Sequence, residues 1–359
     1  MARLSKRRRQ ELAQPGPGTA TMTRTAPAPT GTGAASSPAE PRGARAGPSA
    51  SARGGGRRAA PPSRYQTHRV KVGGPWWQSP WAWGGGLTAL VAVVVIVFVI
   101  LAVVAPTASP DPLADQGVVN QVTSVTASNL ATVGGGQIAD PLMSLPSSTP
   151  GLASGGKPEF LFVGEDSCPY CAFDRWSVVV ALSRFGSFTN LHFTQSATND
   201  LFPNTDSFSF YGSSYSSPYL AFVPVETADR NGRALQTPTA DEQSLVNAYD
   251  APPYSSSTGG VPWMDLGGRY VAAGAPTLTI NGQVVDGPAL LQGMTWQQIG
   301  QSLSNPSSAA AVAILSDANW LIAGLCKITG DQPASVCGTS TVTTLEGTLP
   351  TKPPTSPAS

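Results

Sequence analysis

An uninterrupted apolar run of 19 residues, Leu87–Ala105, constrains this chain more than any other feature of its sequence. It reads LTALVAVVVIVFVILAVVA, and Thr88 is its one polar side chain. As a helix it would be roughly 28 Å long, about the thickness of the hydrocarbon core of a bilayer. Valine and isoleucine are poor helix formers in water, but in lipid the backbone finds hydrogen-bond partners only within the helix. The run therefore predicts a transmembrane helix over residues 87–105.

The charges on the two sides of this run orient it. Residues 1–86 hold 14 Lys and Arg against two acidic residues, whereas residues 106–359 hold 8 basic and 19 acidic residues. Since basic flanks stay on the cytoplasmic side, we expect a single-pass protein of the cell membrane with a cytoplasmic N-terminus and an extracytoplasmic C-terminal part. The alternative, a cleaved signal peptide, fits badly because both the preceding region and the apolar run are too long.

Composition predicts the segments around the folded part. Residues 1–86 are rich in Pro, Gly, Ala, Ser and Arg, so we expect a disordered basic tail that contacts anionic lipid headgroups rather than nucleic acid. Residues 106–156 are interpreted as a linker with one short helix, which either docks on the following domain or remains a marginal helix in solvent. Residues 339–359, rich in Thr, Ser and Pro, are interpreted as a flexible tail.

A Cys-Pro-Tyr-Cys tetrad, Cys168–Cys171, lies between a predicted buried strand, Glu159–Val163, and a predicted helix that ends before Gly186. A second short strand, Leu191–Phe193, follows. A CxxC motif in this order of elements indicates a redox site, whereas the tetrad alone is weak evidence.

Helix N-termini favour thiolates, because unpaired N–H groups and the helix dipole stabilise negative charge. Cys168 is therefore the predicted nucleophile, and Cys171 the thiol that resolves a mixed disulfide. The carboxylates of Glu165 and Asp166 oppose the thiolate and Arg175 offsets them, so the sequence leaves the pKa of the thiol open.

The segment from Gly274 to Gly287 predicts a proline-led strand, an Asn-Gly turn and a hairpin partner. With the CxxC segment, this resembles the thioredoxin superfamily, in which a cis-proline loop beside the cysteine pair binds the substrate backbone. The resemblance implies that Pro276 is the cis-proline and Ala275 the residue before it, and both are expected to bind substrate. An ordinary trans proline in a loop is the alternative.

Three stretches carry a narrower resemblance: GKPEFLFVGEDSCPYCAFDRWSVVVALSRFGSF, NTDSFSFYGSSYSSPYLAFVPVE and LCKITGDQPASVC. They are similar to the membrane-anchored, thioredoxin-like family named domain of unknown function 929, over about residues 115–338. The resemblance implies an α/β, thioredoxin-like fold over residues 157–338 but no substrate. Residues 200–260 are interpreted as an insertion, with a hairpin of Ser207–Phe210 and Tyr219–Val223 followed by a short helix over Asp241–Tyr249. Thioredoxin's buried acid has no counterpart in Phe160–Val163.

Cys326 and Cys337 flank ten residues, after a predicted helix over Ala309–Leu325. Outside the membrane, an even number of cysteines favours disulfides, so we expect a structural bridge between them. A second redox pair that relays electrons to Cys168–Cys171 is the main alternative. A four-cysteine zinc site is disfavoured, because the second pair lacks the spacing of a zinc knuckle.

The predicted function is that of a membrane-anchored, extracytoplasmic thiol–disulfide oxidoreductase whose partners are protein thiols or disulfides. It needs no metal or organic cofactor, because the sulfur atoms carry the two electrons. To stay reduced, the pair would require a redox partner in the membrane. Two histidines in the whole chain exclude a three-histidine zinc site. The alternative is a non-enzymatic, thioredoxin-fold binding or envelope-assembly module in which both cysteine pairs are structural disulfides.

Overall fold

The computed structural model of the protein describes residues 92–94, 111–139, 141–256, 258–280 and 282–355. The predicted tail over residues 1–86 lies outside these ranges, as does the predicted membrane span over 87–105 except for Ala92–Val94, which are helical. Within the described ranges, one helix, Ala309–Thr329, is long and apolar enough to cross a membrane, and most of it is buried inside the protein.

The described part of the chain has a mixed α/β architecture around one principal sheet. The strands are β1 (Met143–Ser144), β2 (Ala153–Ser154), β3 (Lys157–Gly164), β4 (Ser187–Thr189), β5 (His192–Gln195), β6 (Asp206–Ser209), β7 (Ser214–Ser216), β8 (Ala221–Glu226), β9 (Trp263–Leu266), β10 (Tyr270–Ala273), β11 (Thr277–Ile280) and β12 (Gln283–Asp286). In the principal sheet β3 pairs in parallel with β8 and antiparallel with β9, β10 follows β9, and β1 pairs with β10. Three two-stranded sheets pair β4 with β7, β5 with β6 and β11 with β12.

Helices cover both faces of the principal sheet. They are α1 (Gln116–Thr123), α2 (Ala127–Val133), α3 (Pro169–Leu182), α4 (Ala240–Tyr249), α5 (Trp296–Ser302), α6 (Ala309–Thr329), α7 (Ala334–Cys337) and α8 (Ser340–Glu346), with a 3-10 turn at Gly287–Leu290. Side chains alternate along β3, as strand geometry requires. Phe160 and Phe162 pack with α3 and α6 in the larger core, whereas Leu161 and Val163 join Val246 of α4 in the smaller one.

Several predicted elements are confirmed, although the helix after the tetrad ends at Leu182 rather than just before Gly186, and the long helix continues past its predicted end at Leu325 to Thr329. The confirmed elements are the buried strand before the tetrad, the helix after it, the helix over 241–249, the hairpin after Pro276 and the long helix from Ala309. Each has a strong local pattern of apolar residues or a turn signal of its own.

The predicted insertion hairpin is wrong. Residues Ser207–Phe210 do include a strand, but β6 pairs with β5, and the second predicted strand is β8, the parallel neighbour of β3 in the principal sheet. Residues 221–226 therefore belong to the central sheet rather than to an insertion. The alternation of side chains predicts which face of a strand is buried, but it does not show which strand is its neighbour.

The predicted linker helix is two helices docked on the domain. The N-terminus of α1 is capped by Asp115 and that of α2 by Thr126, and Val118, Val122 and Leu130 are buried in the larger core. This agrees with the docked alternative and not with a helix in solvent.

The predicted flexible tail is wrong for residues 340–349. They form α8 and the turn after it, and Val342, Leu345 and Leu349 are buried in the larger core. Val342 and Leu345 are three residues apart and share one helix face, and Leu349 follows in the turn, but the many threonines around them conceal that pattern. Lys327 of α6 pairs with Glu346 at 3.0 Å, and a disulfide joins Cys326 to Cys337 with Cα atoms 5.6 Å apart.

Candidate functional site

The two cysteines of the tetrad lie where β3 leads into α3. Cys168 is the N-cap residue of α3 and Pro169 occupies the first turn, where a missing N–H has no consequence. The Cys171 N–H donates to Cys168 Sγ at 3.2 Å, and the Cys168 thiol donates to the Val261 carbonyl oxygen at 3.3 Å. Both cysteines are unbonded thiols. Cys168 retains 7% of its exposure, while Cys171 is fully buried.

The surroundings of the two sulfur atoms separate their pKa values. A hydrogen bond from the Cys171 side chain, together with the N–H groups of Cys171 and Tyr170 and the charge of Arg175, lowers the pKa of Cys168 despite its burial. Burial raises the pKa of Cys171 well above its ordinary value, and the negative charge of Cys168 raises it further. The cysteine with the lower pKa is therefore also the one that retains some exposure, 7% against none for Cys171.

A buried ion cluster lies behind the dithiol. The Arg175 guanidinium on α3 donates to both carboxylate oxygens of Glu226 on β8, from Nε at 2.9 Å and from Nη2 at 2.6 Å. Asp166 lies 3.4 Å from Nη2 and accepts a hydrogen bond from Ser209 at 3.1 Å. Burial raises the pKa of Asp166 to about 7, although Arg175 lowers it. Sequence analysis identified Arg175 as a charge near the thiols, but its main partner comes from a distant strand.

Sequence analysis missed two buried carboxyl groups, of which Asp174 lies within electrostatic reach of Cys168. Asp174 on α3 is fully buried, and neither of its carboxylate oxygens has a hydrogen-bond partner. Asp317 on α6 is also buried, and its Oδ2 atom has no hydrogen-bond partner. Burial, the charge of Asp317 and the charge of Cys168 raise the pKa of Asp174 well above its ordinary value. Burial raises the pKa of Asp317 to about 7. Asp317 is the one charged residue between Ala309 and Leu325, a signal that could have identified it.

The predicted substrate loop at Ala275–Pro276 lies elsewhere than expected. The cis bonds in the described ranges are Pro252–Pro253, Val261–Pro262 and Gln332–Pro333, so the prediction that Pro276 is cis is wrong. The contact of Cys168 with the Val261 carbonyl puts the Val261–Pro262 loop beside the dithiol instead. The physical reason is topological: β9, which follows Pro262, pairs with β3, whereas β11, which follows Pro276, belongs to a separate hairpin.

Ala275 and Pro276 line a small cavity of about 70 Å³ that also reaches Asp317. A cavity of this volume has room for water beside Asp317. The cavity therefore offers water an approach to Asp317 on the Pro276 side of the domain.

The second pair of cysteines is a disulfide between the end of α6 and α7, with both residues buried. This agrees with the predicted structural bridge. The two sulfur atoms are bonded to each other and so are not available together as thiolate ligands of a metal ion.

Comparison with known proteins identifies a family and no activity. The family model described as a domain of unknown function, DUF929, matches residues 146–327, just over half of the chain. No curated protein and no solved structure matches the chain.

Proposed function

The chain belongs to the family of the domain of unknown function DUF929, to which no activity is assigned, and we propose that it is a membrane-anchored, extracytoplasmic thiol–disulfide oxidoreductase acting on proteins. One observation carries this proposal. At the start of α3, Cys168 is the N-cap residue, is 7% exposed and has a lowered pKa, and it lies next to a fully buried Cys171 with a raised pKa. A permanent structural disulfide would not need two sulfur atoms that differ in this way.

We also propose that the domain has a thioredoxin-like fold. The supporting features are the parallel unit β3–α3–β8, the antiparallel strands β9 and β10, and α6 packed on the same face as α3. The dithiol lies at the end of β3, and the Val261–Pro262 loop that precedes β9 contacts it. In this interpretation Val261 and Pro262 take the role that sequence analysis gave to Ala275 and Pro276.

In the proposed reaction the Cys168 thiolate attacks a substrate disulfide, forms a mixed disulfide and releases the first substrate thiolate. Cys171 then loses its proton and attacks Cys168 Sγ. The Cys168–Cys171 bond forms, the bond to substrate breaks, and the second substrate thiolate leaves and takes up a proton. The substrate disulfide is reduced by two electrons and the dithiol is oxidised by two. The same steps in reverse oxidise a substrate dithiol and reduce the Cys168–Cys171 disulfide.

The second step needs a base, because Cys171 is fully buried and has no direct contact with solvent. We propose that the carboxyl pair of Asp174 and Asp317 accepts its proton. Two carboxyl groups in one low-dielectric site do not both ionise easily, so the pair holds a proton near neutral pH and can exchange it. The cavity at Ala275–Pro276 would connect Asp317 with water.

The membrane location rests on the apolar run over residues 87–105 and on the excess of basic residues before it. The partners in this proposal are the bilayer, extracytoplasmic proteins with thiols or disulfides, and a redox partner in the membrane that sets the state of the dithiol. No organic cofactor is required, because both electrons move between sulfur atoms.

The test is to trap the mixed disulfide. Cys171→Ala should accumulate disulfide-linked complexes through Cys168, detected as species of higher mass on non-reducing gels that disappear on reduction. Cys168→Ala is the matched control and should trap none. A reduction potential typical of inert structural bridges, with no trapped protein in the Cys171→Ala variant, would instead support the non-enzymatic binding module.

A further inference from the structure

The surface around Cys168 combines exposed apolar side chains with carboxylates, on two segments that flank Tyr170 of the tetrad. One segment is the loop that contains Asp200 and Leu201, and the other is β12, which contains Val284 and Asp286. We call these five residues the rim.

The loop side of the rim is fixed to the start of α3. The Ala197 N–H donates to the Ser167 carbonyl oxygen at 2.8 Å, directly before Cys168. Phe202 packs edge-to-face on Tyr170, with ring centroids 6.0 Å apart. Between these contacts, Leu201 leaves 68% of its surface exposed. A leucine this exposed, on a loop that is bonded to the residue before Cys168, presents an apolar contact for a segment that approaches the tetrad.

The β12 side of the rim is held against the same helix. The backbone after β12 lies directly on α3, because a Cβ atom at Gly287 would come within 2.8 Å of the Phe173 ring. Val284 and Asp286 are two residues apart on a strand and so point to the same face. Val284 is 75% exposed. An exposed apolar side chain thus lies on each of the two segments whose carboxylates reach Tyr170.

The charges of the rim are negative on both sides. Burial raises the pKa of Tyr170, and the negative charges of Asp286, Cys168 and Asp200 raise it further, so all three lie within electrostatic reach of the phenol. Arg230 is a cation at the far end of the loop, and its guanidinium donates hydrogen bonds to the side-chain oxygens of Gln195 at 2.6 Å and Asn204 at 3.0 Å. The part of the chain after residue 105 is acidic as a whole, with 19 acidic and 8 basic residues. Fields of this kind attract cationic partners and repel acidic ones.

We infer that the substrates are protein segments in which the reacting cysteine is flanked by cationic and apolar side chains, bound across Tyr170 between Leu201 and Val284. This inference rests on the proposed function, because it describes what the dithiol exchanges with. The apolar side chains of the segment would contact Leu201 and Val284, and its cationic side chains would face Asp200 and Asp286.

The test uses the full-length reduced protein in detergent and three short peptides, each with one cysteine blocked as a mixed disulfide with neutral 2-mercaptoethanol. The peptides carry lysine and leucine, glutamate and leucine, or lysine and serine around the cysteine. Exchange is followed by mass spectrometry, and neutral hydroxyethyl disulfide measures the intrinsic reactivity of the dithiol. At low salt the lysine–leucine peptide should react about tenfold faster than the glutamate–leucine peptide, and added salt should reduce that ratio.

Matched variants separate the two parts of the inference. Asp200→Asn with Asp286→Asn should remove most of the charge preference once each peptide rate is divided by the rate of the same variant with hydroxyethyl disulfide. Asp241→Asn with Asp331→Asn changes the net charge equally at exposed positions outside the rim and should preserve the preference. Leu201→Ser with Val284→Ser should slow the lysine–leucine peptide to the rate of the lysine–serine peptide. Equal rates for the three peptides, with hydroxyethyl disulfide still reacting, would overturn the inference alone, whereas no reaction with any disulfide would overturn the proposed function.

Discussion

Asp317 illustrates how a single side chain in an apolar helix can serve the chemistry of a neighbouring one. A buried carboxyl oxygen without a hydrogen-bond partner is costly, whether or not it is ionised. Asp174 faces it from α3 with the same deficit, and the charge of each disfavours ionisation of the other. Neither residue contributes evident stability, which is consistent with a role in moving a proton.

Asp317→Asn should therefore alter the pH dependence of the reaction rather than the fold. Removing the negative charge that faces Asp174 lowers the pKa of Asp174 and makes it a weaker base. We expect the closing of the Cys168–Cys171 disulfide on a trapped substrate to slow about tenfold at pH 7, with the pH profile moved to lower pH. Single-turnover release of substrate, measured across pH, checks this.

Asp331→Asn is the control for that variant, since Asp331 is exposed and lies beyond the end of α6. A purely structural role of Asp317 would reduce the rate equally at all pH values. An unchanged pH profile in Asp317→Asn would thus rule out the carboxyl pair as the proton acceptor.

At the scale of elements, the sequence predicts those whose signal is local. β3, α3, α4 and α6 follow from apolar periodicity, and the β11–β12 hairpin from its turn. Local sequence signals do not predict that β8 pairs with β3, nor where Pro276 lies, because both depend on contacts between distant segments. The same limit applies to the candidate site. Cys168 and Cys171 are identified by their motif, whereas the Arg175–Glu226 and Asp174–Asp317 pairs each join separate elements.

The junction of α6, α7 and α8 permits a prediction at this scale. Cys326→Ala with Cys337→Ala removes the disulfide, which closes a loop with a sequence separation of 11 residues. We expect the free energy of unfolding to fall by about 3 kcal/mol, through the added freedom of the unfolded chain. The reaction of Cys168 with hydroxyethyl disulfide should remain at the native rate. Denaturant unfolding and exchange kinetics on the same preparation measure both quantities, and a large loss of exchange would point to the relay role instead.

For the whole molecule, burial of carboxyl groups should determine how stability depends on pH. Burial raises the pKa values of Asp166, Asp265 and Asp317 to about 7, so the folded protein retains protons that the unfolded chain releases near pH 4. A raised pKa gives stability that is present at low pH and lost as the pH rises towards 7. His192 has the opposite effect on stability. Because burial lowers its pKa, its contribution to the free energy of unfolding decreases as the pH falls.

We therefore expect the free energy of unfolding to decrease between pH 4.5 and 7.5, by roughly 1–3 kcal/mol for each of these carboxyl groups. Asp265→Asn isolates one contribution, because asparagine can still accept the hydrogen bond from the Gly268 N–H, which is 2.7 Å long in the native protein. This variant should show a shallower dependence on pH, whereas Asp241→Asn at an exposed position of α4 should follow the native curve. The measurement is denaturant unfolding of the full chain in detergent at one-unit steps of pH. Stability that rises over this range in the native protein, or an unchanged slope in Asp265→Asn, would contradict the assignment of retained protons to these buried groups.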